Sequence, residues 1–143
     1  MDILYIEDNI NDANIVVRLL KLLGITEYCL HISDGEMALQ YIVQMEHGVA
    51  AWPKLILMDI KLPKVDGFEI LERIKRHEKL AKIPVVMFSA SSQKQDQDKA
   101  YSLGANSYLV KPNQYGMLKH LIQYLGIYWI QTNQVAYRHE NIP

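Results

Sequence analysis

The sequence predicts an α/β domain: a doubly wound, five-stranded parallel sheet covered by helices on both faces. Five short apolar runs, rich in Ile, Val, Leu, Tyr and Phe, alternate with five segments whose apolar residues recur at helical spacing. The runs are apolar without alternation, as strands buried on both faces require. The chain has 143 residues, half of them apolar and 22% charged, which suits one domain with a proper core.

The first strand is expected over Asp2–Ile6. A helix follows over Asn11–Leu23, where Val16, Leu19, Leu20 and Leu23 share one face and Gly24 is a natural stop. Tyr28–Ile32 is the second strand, and Glu36–Glu46 a second helix whose face is Ala38, Leu39, Ile42 and Val43. The third strand is Lys54–Met58, and the helix Gly67–Arg76 after it buries Phe68, Leu71 and Ile74. Asp66-Gly67 reads as a turn in which the glycine serves backbone geometry. Ile83–Phe88 is the fourth strand, and a polar helix over Ser92–Leu103 stops at Gly104. Ser107–Val110 is the fifth strand, and the last and longest helix runs from Asn113 to Ile130. The folded unit is therefore expected over residues 1–130, with a short polar tail, Gln131–Pro143, loosely held.

Several function classes are disfavoured at once. A formal charge of −1 argues against a dedicated nucleic-acid binder. Cys29 is the only cysteine, so no disulfide framework or thiol cluster exists, and it reads as a buried, inert thiol. His31, His47, His77, His120 and His139 show no metal spacing. The N-terminus enters a strand without a signal-like segment, and no stretch reaches membrane-span length, so a cytoplasmic protein is expected.

The informative residues are those that follow the strands. Glu7-Asp8 ends the first, Asp59 the third, Ser89 the fourth and Lys111-Pro112 the fifth. In a doubly wound sheet such ends share one edge, where ligands bind. Three carboxylates brought together require a proton or a cation among them. With no His or Cys at ligand spacing, the oxygen-only set favours Mg²⁺, or Mn²⁺ as a substitute. A carboxylate beside such a metal can attack phosphorus to give an acyl phosphate, with Lys111 and Ser89 binding the transferred oxygens. Either Asp8 or Asp59 alone would read equally well as a loop cap; the set of five strand-end groups is what favours chemistry.

The stretches "ILYIEDN", "LILMDIKLPKVDGFEIL", "IPVVMFSASS" and "AYSLGANSYLVKP" resemble, in order and spacing, the receiver domain of two-component response regulators. The match covers roughly residues 2–125, nearly the whole chain. The "KLPKVDG" loop, the "AYSLGANSY" run and the terminal "YWI" resemble, more narrowly, small stand-alone regulators paired with cyanobacterial phytochrome kinases. The resemblance implies a flavodoxin-like sheet of order 2-1-3-4-5. It implies phosphorylation of Asp59 by a histidine kinase or phosphotransfer protein. Asp8, Asp59 and the backbone carbonyl of Lys61 would ligate the metal, with Glu7 acting through water. Ser89 and Lys111 would bind the phosphoryl group, the Lys111–Pro112 bond would be cis, and Ser89 with Tyr108 would form the conformational switch. Lys61 and Ser91 occupy positions that tune phosphoryl lifetime in the family.

The last helix carries more apolar surface than its core stripe of Leu118, Leu121, Ile122 and Leu125 needs. Met117, Tyr124, Ile127, Tyr128, Trp129 and Ile130, with Tyr108 and Tyr101, are expected to form a homodimer or kinase-docking face, or else to pack against the tail. With thirteen residues after Ile130, output through a partner is expected rather than through an appended domain. Two other classes fit less well. A haloacid-dehalogenase-type phosphatase needs a second acid two residues after its nucleophile, where this chain has Lys61, and a flavodoxin's phosphate loop would not be the acidic "EDNINDAN".

Overall fold

The computed structural model describes residues 1–136. Its strands are β1 (Ile3–Ile6), β2 (Cys29–Ile32), β3 (Leu55–Met58), β4 (Val85–Ser89) and β5 (Ser107–Val110). All pair in parallel, in the order β2-β1-β3-β4-β5 that the resemblance implied. The helices are α1 (Ile10–Leu22), α2 (Gly35–Glu46), α3 (Gly67–Arg76), α4 (Lys94–Ser102) and α5 (Tyr115–Leu125).

Two-residue periodicity divides the core. Leu4, Ile6, Ile56, Met58, Val85 and Met87 pack with α2 and α3 on one side of the sheet. Ile3, Tyr5, Leu55, Leu57, Val86 and Phe88 face α1 and α5 on the other. Both layers are covered, so β1, β3 and β4 are buried along their whole length. The edge strands β2 and β5 are less buried, which explains their mixed composition.

Local chemistry sets the helix ends. Asn9, Asp34 and Asp66 cap α1, α2 and α3, each accepting from a backbone N–H three residues on. Gly24 ends α1 at φ +67°, with Gly24 N–H bonded to Lys21 O and Ile25 N–H to Leu20 O. This paired closure needs a left-handed residue, and Gly104 (φ +102°) closes α4 in the same way.

Three details differ from expectation. The buried face of α2 is Ala38, Ile42 and Met45, with Leu39 and Val43 half-buried, so the helix is turned slightly from the predicted stripe. The last helix does not run unbroken from Asn113 to Ile130: α5 stops at Leu125 and a π-helical segment, Gly126–Thr132, follows. Gly126 lies so close to Ile25 that a Cβ would meet its Cδ1 at 2.3 Å, and beyond it Trp129 and Ile130 pack back onto the core. The Lys111–Pro112 peptide is trans, since no peptide bond among the described residues is cis. Lys111 takes its direction instead from the carboxylates that bind its ammonium, and needs no cis bond to reach them. The tail expected over Gln131–Pro143 lies outside the described residues from position 137 onward.

Candidate functional site

β1 pairs with β2 on one side and β3 on the other, so the chain leaves their C-terminal ends in opposite directions and opens a crevice. Glu7 extends β1, its N–H bonding Ile32 O at 3.0 Å. Asp59 likewise extends β3, with its N–H 3.0 Å from Ile6 O. Glu7 is 1% exposed and Asp59 8%, whereas Asp8 faces solvent. Glu7, Asp8 and Asp59 each offer a carboxylate oxygen, and these lie within 4.8 Å of one another.

Lys111 enters from β5, where its N–H donates to Ser89 O at 2.8 Å. Its ammonium donates to Glu7 Oε2 at 2.7 Å and to Asp59 Oδ2 at 3.0 Å. Burial pushes the Glu7 carboxyl up to about 7, against the pull of Lys111 and with Asp59 adding to the rise. For Lys111 the balance is reversed: burial favours the neutral amine, but Glu7 and Asp59 outweigh it and hold the pKa above its ordinary value. An ammonium is thus fixed between two buried carboxylates, and the third acid stands open to solvent. The oxygen-only donor set fits a hard divalent cation.

The loop after β3 is held tightly. Asp59 Oδ1 accepts from Ile60 N–H at 2.7 Å, and Gly67 N–H donates to Ile60 O at 2.7 Å. A Cβ on Gly67 would lie 2.1 Å from Asp59 O. The glycine is therefore required by close approach of the backbone that carries the acid, which refines the turn reading. Lys61 is exposed and shares with Asp59, Ser89, Ser91 and Asp96 the lining of a cleft of about 560 Å³.

Ser89 ends β4 and is 3% exposed, and its Oγ accepts from Ser91 N–H at 3.1 Å. Ser91 Oγ bonds Asp96 in the first turn of α4, which anchors the loop. The half-buried Tyr108 donates its hydroxyl to Ser91 O at 2.8 Å, and its own N–H donates to Tyr101 Oη at 3.1 Å. Tyr101, Met117, Tyr124, Ile127 and Tyr128 are exposed by 45–66%, whereas Trp129 and Ile130 of the predicted face pack on the α1 and α5 side of the core and Tyr108 on the other side. Cys29 is half-buried rather than buried, and burial pushes its thiol up to about 12, consistent with an inert group.

All five strand-end groups therefore meet at one edge. Two further residues approach Lys111 without having been singled out in the sequence. Asp12 Oδ2 is 3.7 Å from Lys111 Nζ, and Tyr5 lines the cavity behind it. Asp12 lies in the first turn of α1, the helix that starts directly after Glu7-Asp8, and that closeness to the acidic strand end was the available signal.

A family model described as the response regulator receiver domain matches residues 3–123. The chain is 40% identical over 132 residues to the probable methanogenesis regulatory protein FilR2 of Methanothrix harundinacea, spanning 92% of this chain and 85% of that protein. It is 34% identical over 131 residues to response regulator Rcp1 of Synechocystis sp., spanning 91% and 89%. The solved Mn²⁺-bound form of Rcp1 matches with a TM-score of 0.86 at 33% identity, covering 94% of this chain and 98% of that one. The phosphorylated cyanobacterial phytochrome response regulator RcpA matches with a TM-score of 0.87 at 31% identity, covering 95% and 98%.

Proposed function

This chain belongs to the response regulator receiver family of two-component signalling, and we propose that Asp59 is its phosphoacceptor. One observation carries the reading: Lys111 Nζ bridges Glu7 and Asp59 at 2.7 and 3.0 Å, beside a third carboxylate within metal-sharing distance. In the proposed reaction an Asp59 carboxylate oxygen forms a bond to phosphorus as the P–N bond of a phosphohistidine breaks. The P–N electron pair stays on the donor nitrogen, the ring, already protonated on its other nitrogen, leaves as neutral imidazole, and Asp59 becomes an acyl phosphate. Asp59, Asp8 and the Lys61 carbonyl would hold Mg²⁺, or Mn²⁺ in its place, with Glu7 acting through water. Bound there, the cation supplies Lewis-acid stabilisation of the transferring oxygens.

The chain's own groups do the rest. Lys111 already touches the acceptor carboxylate and is placed to pair with a phosphoryl oxygen. Ser89 shares the cleft and offers a hydroxyl to another. Movement of Ser89 toward the phosphoryl group would alter Ser91, whose carbonyl holds the Tyr108 hydroxyl, so the surface of α4, β5 and α5 reads the state of Asp59. The exposed aromatic residues there form the homodimer or kinase-docking face in this reading. Its kinase is of the phytochrome type, supported by likeness to Rcp1 and RcpA, and it works in the cytoplasm. Among the described residues no helix is long and apolar enough to cross a membrane. The protein acts on itself, taking up and losing one phosphoryl group, and signals by changed partner binding.

The test is intact mass after incubation with Mg²⁺ and a small phosphoramidate or acyl-phosphate donor. A single labile phosphoryl adduct is expected, absent in Asp59→Asn and absent when EDTA replaces Mg²⁺. No adduct, or steady hydrolysis of unrelated phosphate esters, would overturn the reading.

A further inference from the structure

Behind Lys111, on the α1 and α5 side of the sheet, lies a cavity of about 260 Å³ walled by Tyr5, Asp12, Val16, Phe88, Lys111 and Leu118, among others. Three of these groups have the chemistry that binds an ammonium. Asp12 Oδ2 is 3.7 Å from Lys111 Nζ. The centroid of the Phe88 ring is 5.8 Å from the same nitrogen, within cation–π range. Tyr5 is wholly buried, and its hydroxyl is the one buried side-chain polar atom among the described residues with no hydrogen-bond partner. Burial pushes its pKa up, and the charges of Glu7, Asp12 and Asp59 push it further, so it stays a neutral phenol with oxygen lone pairs to offer. A buried polar group without a partner is costly and calls for an occupant. Lys111 meanwhile commits two of its three ammonium hydrogens, to Glu7 and Asp59.

We propose that Tyr5, Asp12 and Phe88 form a second seat for the Lys111 ammonium, which receives it when a divalent cation enters the Glu7–Asp8–Asp59 cluster. This rests on the reading of that cluster as a metal site. A dication sharing Glu7 and Asp59 with an ammonium repels it, and the repulsion is strong in a site this dry. The lysine stem is long and flexible, and the second seat adjoins the first. Tyr5 and Asp12 are therefore positioning residues: they act through Lys111, and they lower the cost of admitting the metal.

The experiment is a calorimetric Mg²⁺ titration of wild type, Tyr5→Phe, Asp12→Asn, Lys111→Met and the Tyr5→Phe/Lys111→Met double variant. NMR of side-chain-labelled lysine follows Lys111 in parallel. Tyr5→Phe is expected to weaken Mg²⁺ binding by about ten- to a hundredfold, the worth of one hydrogen bond to a charged group. The same change made in Lys111→Met has no effect, because no ammonium then needs a seat. Asp12→Asn weakens binding by more, since it also removes a negative charge. The Lys111 side-chain signals move upfield on Mg²⁺ addition, under the ring currents of Phe88 and Tyr5. Tyr5→Phe leaves the urea midpoint unchanged or raised, because its hydroxyl has no partner in the metal-free fold. Unaltered Mg²⁺ affinity in Tyr5→Phe, an equal loss in the Lys111→Met background, or unmoved Lys111 signals would overturn the proposal. If wild type itself binds no Mg²⁺, the metal-site reading fails first and takes the second seat with it.

Discussion

Glu7 makes the metal-free protein less stable as pH rises through neutrality, and Glu7→Gln removes that loss. The carboxyl is 1% exposed, and burial sets its folded pKa at about 7 against an ordinary value of 4.5. The folded state therefore holds a proton across this interval that the unfolded chain releases. Stability from this group is fully present below about pH 4.5 and is lost as pH rises through about 7. At about 1.4 kcal/mol per unit, the whole loss is of order 3 kcal/mol, with no discount for solvent because the group is dry. Lys111 offsets part of the burial cost and Asp59 adds to it, and both effects are already contained in the value near 7. The glutamine side chain keeps the shape and a hydrogen-bonding oxygen but never ionises. The assay is urea unfolding of both proteins in EDTA at several pH values between 4 and 8.5. The difference between them cancels carboxylates elsewhere, such as Glu46, whose pKa is lowered by its paired bond to Arg73. The variant is expected to gain on wild type progressively between pH 4.5 and 7.5. A difference that is flat with pH would refute the reasoning, because Glu7 would then titrate at its ordinary value.

Two further outcomes follow from packing and from the β4–α4 loop. Gly67→Ala places a Cβ 2.1 Å from the Asp59 carbonyl oxygen and 3.0 Å from Ile60 Cα, so urea unfolding should show a loss of about 1–3 kcal/mol. Gly116→Ala is the control, since nothing lies within 4 Å of its Cβ and the helix gains up to about 1 kcal/mol. Tyr108→Phe deletes the 2.8 Å bond to Ser91 O and should cost about 1 kcal/mol. Amide exchange by mass spectrometry should also quicken across residues 90–93, and unchanged exchange there would mean that Tyr108 does not hold the loop.

What was legible in the sequence follows from what each signal needs. Strand runs and helix stripes are local patterns, and the two-sided burial of β1, β3 and β4 made them plain as unbroken apolar runs. The site was legible too, because a parallel sheet brings strand ends to one edge wherever they fall in the chain. Departures occur where an outcome depends on a distant contact. The π-helical segment after Leu125 begins at Gly126, where Ile25, a residue far off in the chain, leaves no room for a Cβ. The trans Lys111–Pro112 bond sits where ion pairs across the sheet, rather than the peptide, set the lysine's direction. Tyr5 gives no signal in the sequence for the opposite reason. An aromatic residue in a buried strand looks like packing, and its ring does pack with Leu20 and Phe88 in the α1 and α5 layer. Only the buried environment shows that its hydroxyl lacks a partner, next to a cavity shared with Asp12 and Lys111. A hydroxyl costs more to bury than the phenyl ring that would fill the same volume. Its presence at the back of the acidic cluster is accounted for if the ammonium in front of it moves.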